Sequence, residues 1–527
     1  MNAHSPAPHW ARHASLLPDG ALPEGDRRFW AHTLTDVVAG FLRDADPTRI
    51  AQHDGRTLAL HSVLEAGERL RAAGVRPGDV VLVECHNEVA GLATLLACWL
   101  EACCVCPIDP ATPADVKALI ATESGATAQA DSEGAIRPLP RTAGAAHARP
   151  SLFRLRGAAR VTGSDLALLI FTSGSSGTPK GVMLSHLNVM SALRSLSAYL
   201  ELRADDRILT IPPLFFDYGL YQLLLALFDG CGLMLSGRHP NIAELRKQIV
   251  RHEPSVLPVV PALASGLARL FETLGKTASS VRLVTNTGGH LSDATIAALE
   301  SVFPQARIMP MYGLTECKRA LFLDRDRFPG RAGSVGRAMP GLEAVVAIRE
   351  DGELREAPPS VVGELYVRGP SVMQGYHGPH VEGGARIEAG THRDDNWLAT
   401  GDLFATDEDG LLYFRGRSKM LIKQGGFCIH PRDVEVLAEA LDDIETARVV
   451  GRQEADGDES AVLFAQVRAE MPAGDRKRLL QQLKDAIPRT LMPREVRFVQ
   501  DWPATPNGKI DARALERMAA RGVEAVQ

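Results

Sequence analysis

Residues 172–180 read Thr-Ser-Gly-Ser-Ser-Gly-Thr-Pro-Lys, and this run leaves few folds open to the chain. It follows an apolar, strand-like segment at residues 166–171 and precedes a segment of helical character, Leu187 to Leu200. Glycines let the backbone approach a phosphate, hydroxyl groups donate hydrogen bonds to it, and a lysine supplies the opposing charge. We therefore predict a phosphate-binding loop whose members are Thr172, Ser173, Gly174, Ser175, Ser176, Gly177, Thr178 and Lys180.

The familiar phosphate loops of other nucleotide-binding proteins do not fit this run. The P-loop requires Gly-Lys followed by Ser or Thr, whereas here Pro179 precedes Lys180 and Gly181 follows it. The hydroxyl that would hold magnesium in a P-loop is therefore missing. The dinucleotide pattern Gly-x-Gly-x-x-Gly is also absent from the run. These differences argue against a P-loop kinase.

Hydrophobic periodicity predicts an α/β fold in the first part of the chain. Between about residues 30 and 310, short apolar strands alternate with amphipathic helical stretches, which favours parallel sheets covered by helices on both faces. The predicted strands are residues 80–83, 166–171, 207–211, 281–284 and 307–311.

The later part of the chain has a different character. Residues 330–415 are β-rich, with a hairpin cue at Asp409-Gly410. After Gly416 an α+β pattern follows, in which Pro431 opens a helix. Because 527 residues exceed what one core usually holds, we predict two domains. These are a large N-terminal domain over residues 1–416, with parallel sheets and a β-rich part, and a small mobile α+β domain over residues 417–527.

Charge and hydropathy exclude several classes of partner. The net charge of −6 lacks the basic footprint of a nucleic-acid binder, so we expect no nucleic-acid partner. The longest apolar stretch, Val89 to Leu100, is too short for a membrane span. The N-terminus shows no signal-peptide pattern, and the cysteines form no disulfide or zinc pattern, so we expect a cytoplasmic protein.

Further motifs follow the loop in a fixed order. They are Tyr312-Gly-Leu-Thr-Glu316, Gly363-Glu-Leu-Tyr-Val-Arg-Gly-Pro370, Trp397-Leu-Ala-Thr-Gly-Asp402, Gly416-Arg417 and Pro506-Asn-Gly-Lys-Ile-Asp511. Together with the loop, they resemble the AMP-forming adenylating superfamily of acyl-CoA synthetases, peptide-synthetase adenylation domains and luciferases. The resemblance implies that ATP activates a carboxylic acid as an acyl-adenylate, with release of pyrophosphate and with Mg²⁺ present.

The resemblance also assigns roles around the nucleotide. Glu316 would hold Mg²⁺, since carboxylate oxygen is a ligand that magnesium accepts, and Thr315 would contact the α-phosphate. Lys509 would stabilise the α-phosphate from the C-terminal domain. The remaining ATP-binding residues would be Tyr312, Gly288 and Gly289 at the adenine and Asp402 and Arg417 at the ribose.

A second reaction would transfer the acyl group to a pantetheine thiol. The resemblance implies a hinge at Lys419 and a rotation that replaces Lys509 with a thiol tunnel. The tunnel residues would be Lys423, Gly425, Gly426 and Phe427. No carrier domain follows Lys509, so we expect the thiol to come from coenzyme A or from a separate acyl or peptidyl carrier protein.

The identity of the acid stays open at the sequence level. Asp217 could bind a substrate ammonium, as in amino-acid-activating relatives, or it could be a structural residue bonded to nearby backbone. The chain is therefore either a plain acyl-CoA synthetase or a stand-alone enzyme that loads an amino acid onto a carrier. Predicted walls of the acid pocket are Phe216, Asp217, Tyr221, Val259, Val260, Pro261, Asn286, Thr287 and Gly313, and their size favours a short acid.

Other functions on the same scaffold are disfavoured. A luciferase-like oxidoreductase is possible on this fold, but nothing in these residues calls for oxygen chemistry. A non-catalytic nucleotide-binding protein would lack some of the charged residues Lys180, Glu316, Asp402 and Lys509, and all of them are present.

Overall fold

Two large β-sheets and a smaller C-terminal unit make up the fold, as a computed structural model of the chain shows. The structure describes residues 31–44, 46–140, 161–173, 179–238, 240–378, 385–389, 396–418, 422–424, 427–454, 459–467, 473–505 and 509–521.

The helices of the described residues are α1 (Leu34–Asp44), α2 (Leu60–Ala72), α3 (Val89–Leu100), α4 (Ala114–Ser124), α5 (His186–Leu200), α6 (Asp217–Asp229), α7 (Ile242–His252), α8 (Pro261–Thr273), α9 (Asp293–Val302), α10 (Pro431–Glu439), α11 (Ala473–Ala486) and α12 (Ala512–Ala520). A short 3₁₀ helix spans Pro47–Arg49.

The strands of the N-terminal part are β1 (Ile50–Gln52), β2 (Val80–Glu84), β3 (Cys104–Ile108), β4 (Ala128–Ala130), β5 (Ile136–Pro138), β6 (Leu166–Ser173), β7 (Pro179–Ser185), β8 (Arg207–Thr210), β9 (Gly232–Leu235), β10 (Val256–Val259), β11 (Leu283–Asn286) and β12 (Arg307–Tyr312). The later strands are β13 (Leu321–Phe322), β14 (Ser334–Ala338), β15 (Glu343–Glu350), β16 (Glu353–Glu356), β17 (Gly363–Arg368), β18 (Gly375–His377), β19 (Arg386–Ala389), β20 (Asn396–Thr406), β21 (Leu412–Arg417), β22 (Ile422–Gln424), β23 (Phe427–Ile429), β24 (Ile444–Gln453), β25 (Glu459–Val467) and β26 (Glu495–Val499).

The larger sheet has 14 strands and changes character half-way across. Its first half runs β1-β9-β8-β10-β11-β12, with all neighbours parallel. From β13 onwards the pairing is antiparallel, through β14, β21, β20, β17, β15 and β16. The predicted combination of a parallel sheet and a β-rich part is therefore confirmed. The strand predicted at residues 281–284 begins two residues later, as β11, because its parallel partner β10 begins at Val256, which pairs with Leu283.

The second sheet has 7 strands in the order β18-β7-β6-β3-β2-β4-β5. Its strands β6 and β7 form an antiparallel pair, so residues 179–185 are a strand. The sequence analysis placed Pro179 and Lys180 in the phosphate loop and predicted no strand before the helical segment at Leu187, so this strand was missed. Pro179 is at the first strand position, where proline is tolerated, and Gly181 gave the segment a loop-like composition. A Cβ on Gly181 would lie 3.1 Å from both Leu169 and Phe171, so the close packing of β6 and β7 favours glycine.

The main core lies between the two sheets. Helix α3 is buried along almost its whole length, from Gly91 to Leu100, and α5 and α6 contribute to the same hydrophobic cluster. Helix α5 begins where the Ser185 side chain accepts a hydrogen bond from the Asn188 backbone at 3.2 Å, a favourable N-cap for a helix. Among the described residues, every helix is too short or too polar to cross a membrane.

The C-terminal unit has a core of its own. Strands β24, β25 and β26 form a three-stranded sheet, and Val434, Ala438, Leu479 and Leu483 of α10 and α11 pack against it. The predicted small α+β unit is present. Its boundary at residue 416 and its mobility stay predictions.

Candidate active site

The candidate site begins where parallel strands of the larger sheet end. Carboxyl ends of parallel strands share one edge of a sheet, and ligands of α/β proteins commonly bind there. The segments that follow β8, β10, β11 and β12 are residues 211–217, 260–261, 287–289 and 313–319. They contain ten of the residues that the sequence predicted for the nucleotide and the acid, which are Phe216, Asp217, Val260, Pro261, Thr287, Gly288, Gly289, Gly313, Thr315 and Glu316.

Lys180 lies on strand β7 and not within a loop. It is directly opposite Thr172 of β6, and it is buried. Its ammonium nitrogen is 6.0 Å from the centroid of the Tyr376 ring. Strand β18, which carries Tyr376, pairs with β7, and this pairing fixes the two residues side by side. The middle of the predicted loop, residues 174–178, lies outside the described residues.

Glu316 is held by the same tyrosine. The Tyr376 hydroxyl donates a hydrogen bond to Glu316 Oε1 at 2.5 Å, and the Met373 backbone N–H donates to the Glu316 carbonyl at 2.7 Å. Burial, and then the charge of Glu316, raise the pKa of Tyr376 well above its ordinary value, so its hydroxyl stays protonated. Carboxylate oxygen is a hard donor of the kind that Mg²⁺ prefers, so Glu316 is suited to hold that ion.

Tyr312, Asp402 and Arg417 form a polar cluster at the end of β12. The Tyr312 hydroxyl donates to Asp402 Oδ2 at 2.6 Å, and Arg417 Nε lies 3.0 Å from Asp402 Oδ1. Asp402 and Arg417 are direct partners across β20 and β21. Burial raises the pKa of Asp402, while Arg417 and Tyr312 act against that rise. Asp402 is 3% exposed, so these partners hold the carboxylate in place within a largely dry environment.

Lys509 reaches into the cleft from the C-terminal unit. Its ammonium nitrogen is 4.7 Å from the centroid of the Phe216 ring. The Lys509 backbone N–H donates to Thr505 Oγ1 at 3.2 Å, and the Lys509 carbonyl accepts from the Thr505 N–H at 2.8 Å. Burial lowers the pKa of Lys509, with Asp217 opposing this shift and Arg417 adding to it.

Electrostatic interactions join these groups into one site. Asp402, and more weakly Tyr312 and Glu316, raise the pKa of Arg417, while Arg417 acts on Lys509. The residues predicted for ribose, magnesium and α-phosphate are therefore close enough to influence one another electrostatically.

The glycines after β11 lie beside the Lys509 side chain. Gly288 has φ +84°, and a Cβ added there would be 2.9 Å from Lys509 Cε. A Cβ on Gly289 would be 3.1 Å from Pro261 at the start of α8. The turn therefore needs glycine both for its backbone conformation and for the approach of the C-terminal lysine.

Charged contacts join the C-terminal unit to the N-terminal part near this turn. Arg269 of α8 pairs with Glu445 of β24, and Ser292 Oγ donates to the Glu445 carbonyl at 3.2 Å. His290 Nε2 lies 3.9 Å from Glu439 Oε2 of α10. Burial, with the cation Arg432 next in size, lowers the pKa of His290 well below its ordinary value, so this contact is with a neutral imidazole.

The predicted acid pocket contains an ion pair that the sequence analysis did not expect. Asp217, the first residue of α6, is buried, and one carboxylate oxygen lies 3.1 Å from Lys318 Nζ. The Lys318 ammonium also lies 3.9 Å from the centroid of the Tyr221 ring. The structural alternative for Asp217 is thus revised, because its polar partner is a side chain of this chain and not nearby backbone. The binding of a substrate ammonium stays a prediction.

The other predicted pocket residues are mostly buried along the ends of β10, β11 and α6. They are Tyr221, Val259, Val260, Asn286 and Thr287, each less than 9% exposed. Gly313 is required by the turn that follows β12, since a Cβ there would lie 2.0 Å from the Lys318 carbonyl oxygen. This turn brings Lys318 back towards Asp217.

Comparison with known proteins gives the family. The profile of the AMP-binding enzyme family matches residues 59–377, and that of the AMP-binding enzyme C-terminal domain matches residues 433–509. The chain belongs to the AMP-binding enzyme family.

Relatives include enzymes that are named as ligases and as peptide synthetases. Anthranilate–CoA ligase of Pseudomonas aeruginosa is 30% identical over 522 residues, covering 92% of this chain and 96% of that enzyme. A probable non-canonical nonribosomal peptide synthetase of Salinispora arenicola, CymA, is 30% identical over 94% of this chain, which spans 6% of that protein. O-succinylbenzoate CoA synthetase of Bacillus subtilis, solved with ATP and a magnesium ion, has the same fold, with a TM-score of 0.72 and 22% identity over 91% of this chain and 99% of that one.

For this AMP-binding enzyme the hinge and thiol-tunnel assignments remain predictions. Lys419, Gly425 and Gly426 lie outside the described residues. The backbones of Lys423 and Phe427 lie on β22 and β23, which form an antiparallel pair.

Sequence reasoning missed Lys318, Arg319 and the role of Tyr376. Both cations directly follow the Tyr-Gly-Leu-Thr-Glu motif and a single cysteine, so their position was visible, but not their direction into the protein. Lysine and arginine are usually exposed, whereas Lys318 is 2% and Arg319 3% exposed.

Proposed function

We propose that this enzyme activates a small carboxylic acid with ATP and transfers the acyl group to the thiol of coenzyme A. Support comes from the family membership, from Tyr376, which contacts both Lys180 and Glu316, and from the electrostatic interactions of Arg417 with Asp402, Glu316 and Lys509. The observation that carries the proposal is the position of Lys509, which comes from the C-terminal unit yet lies over Phe216 beside Gly288.

In the first half-reaction a carboxylate oxygen of the acid attacks the α-phosphorus of ATP. The new bond is a mixed anhydride P–O bond, and the bond to the pyrophosphate leaving group breaks. Both reactants are anions, so catalysis depends on positioning and on neutralising charge. The Lys509 ammonium, in a site where burial strengthens its field, offsets the repulsion between carboxylate and phosphate.

The two ends of the nucleotide are held by separate groups. Asp402 accepts hydrogen bonds from the ribose hydroxyls, with Tyr312 and Arg417 fixing the carboxylate. Lys180 and the adjoining loop bind the β- and γ-phosphates. Glu316, oriented by Tyr376, would hold a Mg²⁺ ion, which supplies charge neutralisation on the phosphates.

In the second half-reaction a thiolate sulfur attacks the acyl carbon, the carbonyl–phosphate bond breaks, and AMP leaves. The thiol proton passes to solvent. Lys509 has no role in this step, because AMP departs as a stable anion. We expect the C-terminal unit to rotate away, so that the segment around Phe427 lines the path of the thiol.

A separate carrier protein is the alternative acceptor. The similarity to a peptide synthetase supports it, since such enzymes pass acyl groups to carrier-bound pantetheine. The similarity to anthranilate–CoA ligase covers almost all of both chains and supports coenzyme A.

Acid-dependent exchange of labelled pyrophosphate into ATP tests the first half-reaction. We expect exchange with at least one short or aromatic acid, and thioester formation when coenzyme A is added. Absence of exchange across aliphatic, aromatic and amino acids would contradict the proposal. If exchange occurs and a carrier protein is loaded but no coenzyme A thioester forms, the acid activation stands and the acceptor is a carrier protein.

A further inference from the structure

The ion pair in the acid pocket has consequences for substrate choice. Asp217 follows Phe216, whose ring lies under the Lys509 ammonium, so its carboxylate is adjacent to the proposed reaction centre. Burial raises the pKa of Asp217, but Lys318 and further cations outweigh it, and the pKa of Asp217 lies below its ordinary value. The group is therefore an anion at the wall of the pocket.

Lys318 is built into this position. Its side chain is 1% exposed, against 10% for Asp217, so the ammonium lies on the protein side of the carboxylate. The Tyr221 ring, 3.9 Å away, gives a second favourable contact for a buried cation. The contact between Lys318 and Asp217 is an ion pair and not a directed hydrogen bond.

The backbone turn keeps Lys318 directed inwards. The Lys318 N–H donates to the Leu314 carbonyl at 2.7 Å, and Lys318 has φ +72°, an uncommon conformation for a residue with a side chain. Gly313 permits this turn, because any Cβ there would clash with the Lys318 carbonyl. Such a fixed arrangement is preorganised and does not wait for the substrate.

More positive charge surrounds the pair. The Arg319 guanidinium lies 4.5 Å from the centroid of the Tyr218 ring, and its Nε has no hydrogen-bond partner among the described residues. Arg319 and Lys509 both act electrostatically on Asp217. A substrate ammonium placed beside Asp217 would therefore meet several like charges, which disfavours its binding.

We infer that Lys318 is a specificity-determining residue: it occupies the place of a substrate ammonium at Asp217 and selects acids that carry no cationic group next to their carboxylate. This inference rests on the proposed acid-activating function. It narrows the substrate class to aliphatic and aromatic monocarboxylic acids that carry no charged group besides the carboxylate. It also disfavours the amino-acid alternative.

Matched pairs of acids with one carbon skeleton test the inference. Propionate is compared with alanine, and phenylpropionate with phenylalanine, by kcat/KM in the pyrophosphate exchange reaction at about pH 6, where Lys318 is charged. The wild-type enzyme is expected to favour the acid without the ammonium by about 10-fold or more. Preference for the amino acid would overturn the inference while leaving the ligase function intact. No exchange with any acid would instead reject the proposed function.

Charge-removing variants show whether Lys318 is responsible. In Lys318→Met the carboxylate of Asp217 lacks its partner. The ratio of kcat/KM for the amino acid to kcat/KM for the plain acid should therefore rise about 10-fold or more. In the double variant Asp217→Asn, Lys318→Met the ratio should stay near the wild-type value, because no anion is left to attract an ammonium. Lys247→Met, at an exposed position of α7, is the control for loss of a lysine.

The remaining outcomes are also decisive. Equal ratios in the wild type, the single and the double variant would overturn the role of Lys318. A preference for succinate over butyrate of about 10-fold or more would also overturn it, since the cations would then bind a second substrate carboxylate. If Lys318→Met fails to fold, as judged by its thermal melting curve, the wild-type panel still decides, because a preference for the amino acid or for succinate would overturn the inference.

Discussion

The ammonium nitrogen of Lys509 lies 4.7 Å from the centroid of the Phe216 ring, although the two residues belong to different units of the chain. Phe216 directly precedes α6, and Lys509 directly precedes the segment that leads into α12. Their contact closes the cleft over the carboxyl ends of the parallel strands. Lys509 therefore joins the nucleotide and acid residues of the N-terminal part only when the C-terminal unit is docked.

Asp402→Asn should weaken ATP binding. The neutral amide has no charge to pair with Arg417. It also no longer offers an anionic acceptor to the Tyr312 hydroxyl and the ribose hydroxyls. A hydrogen bond to a charged group is worth about 1.5–3 kcal/mol, so KM for ATP should rise about 10- to 100-fold. Steady-state kinetics with ATP varied at saturating acid measure this. Asp205→Asn, at an exposed position, is the control, and an unchanged KM for ATP in Asp402→Asn would rule out the assigned role.

Glu445→Ala should impair adenylation more than thioester formation. It removes the ion pair with Arg269, which holds the C-terminal unit in the arrangement seen here. Partly exposed pairs contribute about 0.2–1 kcal/mol, so the adenylation rate should fall about 1.4- to 5-fold. Single-turnover formation of acyl-adenylate, and of thioester from supplied acyl-adenylate, separate the two steps. Glu272→Ala, at an exposed position of α8, the helix that carries Arg269, is the control and should change neither step. If Glu445→Ala lowers both steps equally, the ion pair contributes to the general stability of the protein and not to adenylation in particular.

Substrate discrimination should depend on pH. Burial lowers the pKa of Lys318 to about 7, with Asp217 opposing this shift and Arg319 adding to it. Lys318 is thus charged below about pH 7 and neutral above it, where it no longer competes with a substrate ammonium for Asp217. The ratio of kcat/KM for alanine to that for propionate should rise between about pH 6 and about pH 8.5.

The other titratable groups around Lys318 and Asp217 do not produce the same pH dependence of the substrate ratio. Lys509 and Tyr221 also face Asp217, and Cys317 is next to Lys318; the double variant keeps these groups and therefore controls for their titration. In the double variant Asp217→Asn, Lys318→Met, the ratio of kcat/KM for alanine to that for propionate should not change with pH. A ratio that is also independent of pH in the wild type would contradict the titration of Lys318.

Sequence reasoning predicted the fold where local pattern and global architecture agree. Strands such as β6, β8 and β12 were visible as apolar runs followed by turns, and the C-terminal helix α10 was visible from Pro431. Strand β7 was missed because its glycine and proline imitate a loop, while its pairing with β6 and β18 is a tertiary property.

The candidate site was predictable to the extent that its residues lie within motifs. Glu316, Asp402 and Lys509 could be named because each occupies a fixed place in a recognisable run. The partners that orient them could not, since Tyr376 reaches Glu316 from another sheet. The burial of Lys318 depends on a turn with positive φ and on the position of α6, which no spacing in the sequence reveals.

The half-reactions of Lys509→Ala test the central claim most directly. Acyl-adenylate formation and thioester formation from supplied acyl-adenylate are measured separately, with Lys477→Ala, exposed on α11, as the control. If Lys509 offsets the repulsion between acid and α-phosphate, adenylation should fall about 10²- to 10³-fold while thioester formation is retained. An equal loss in both half-reactions, or no loss in the first, would contradict the proposed role of this lysine.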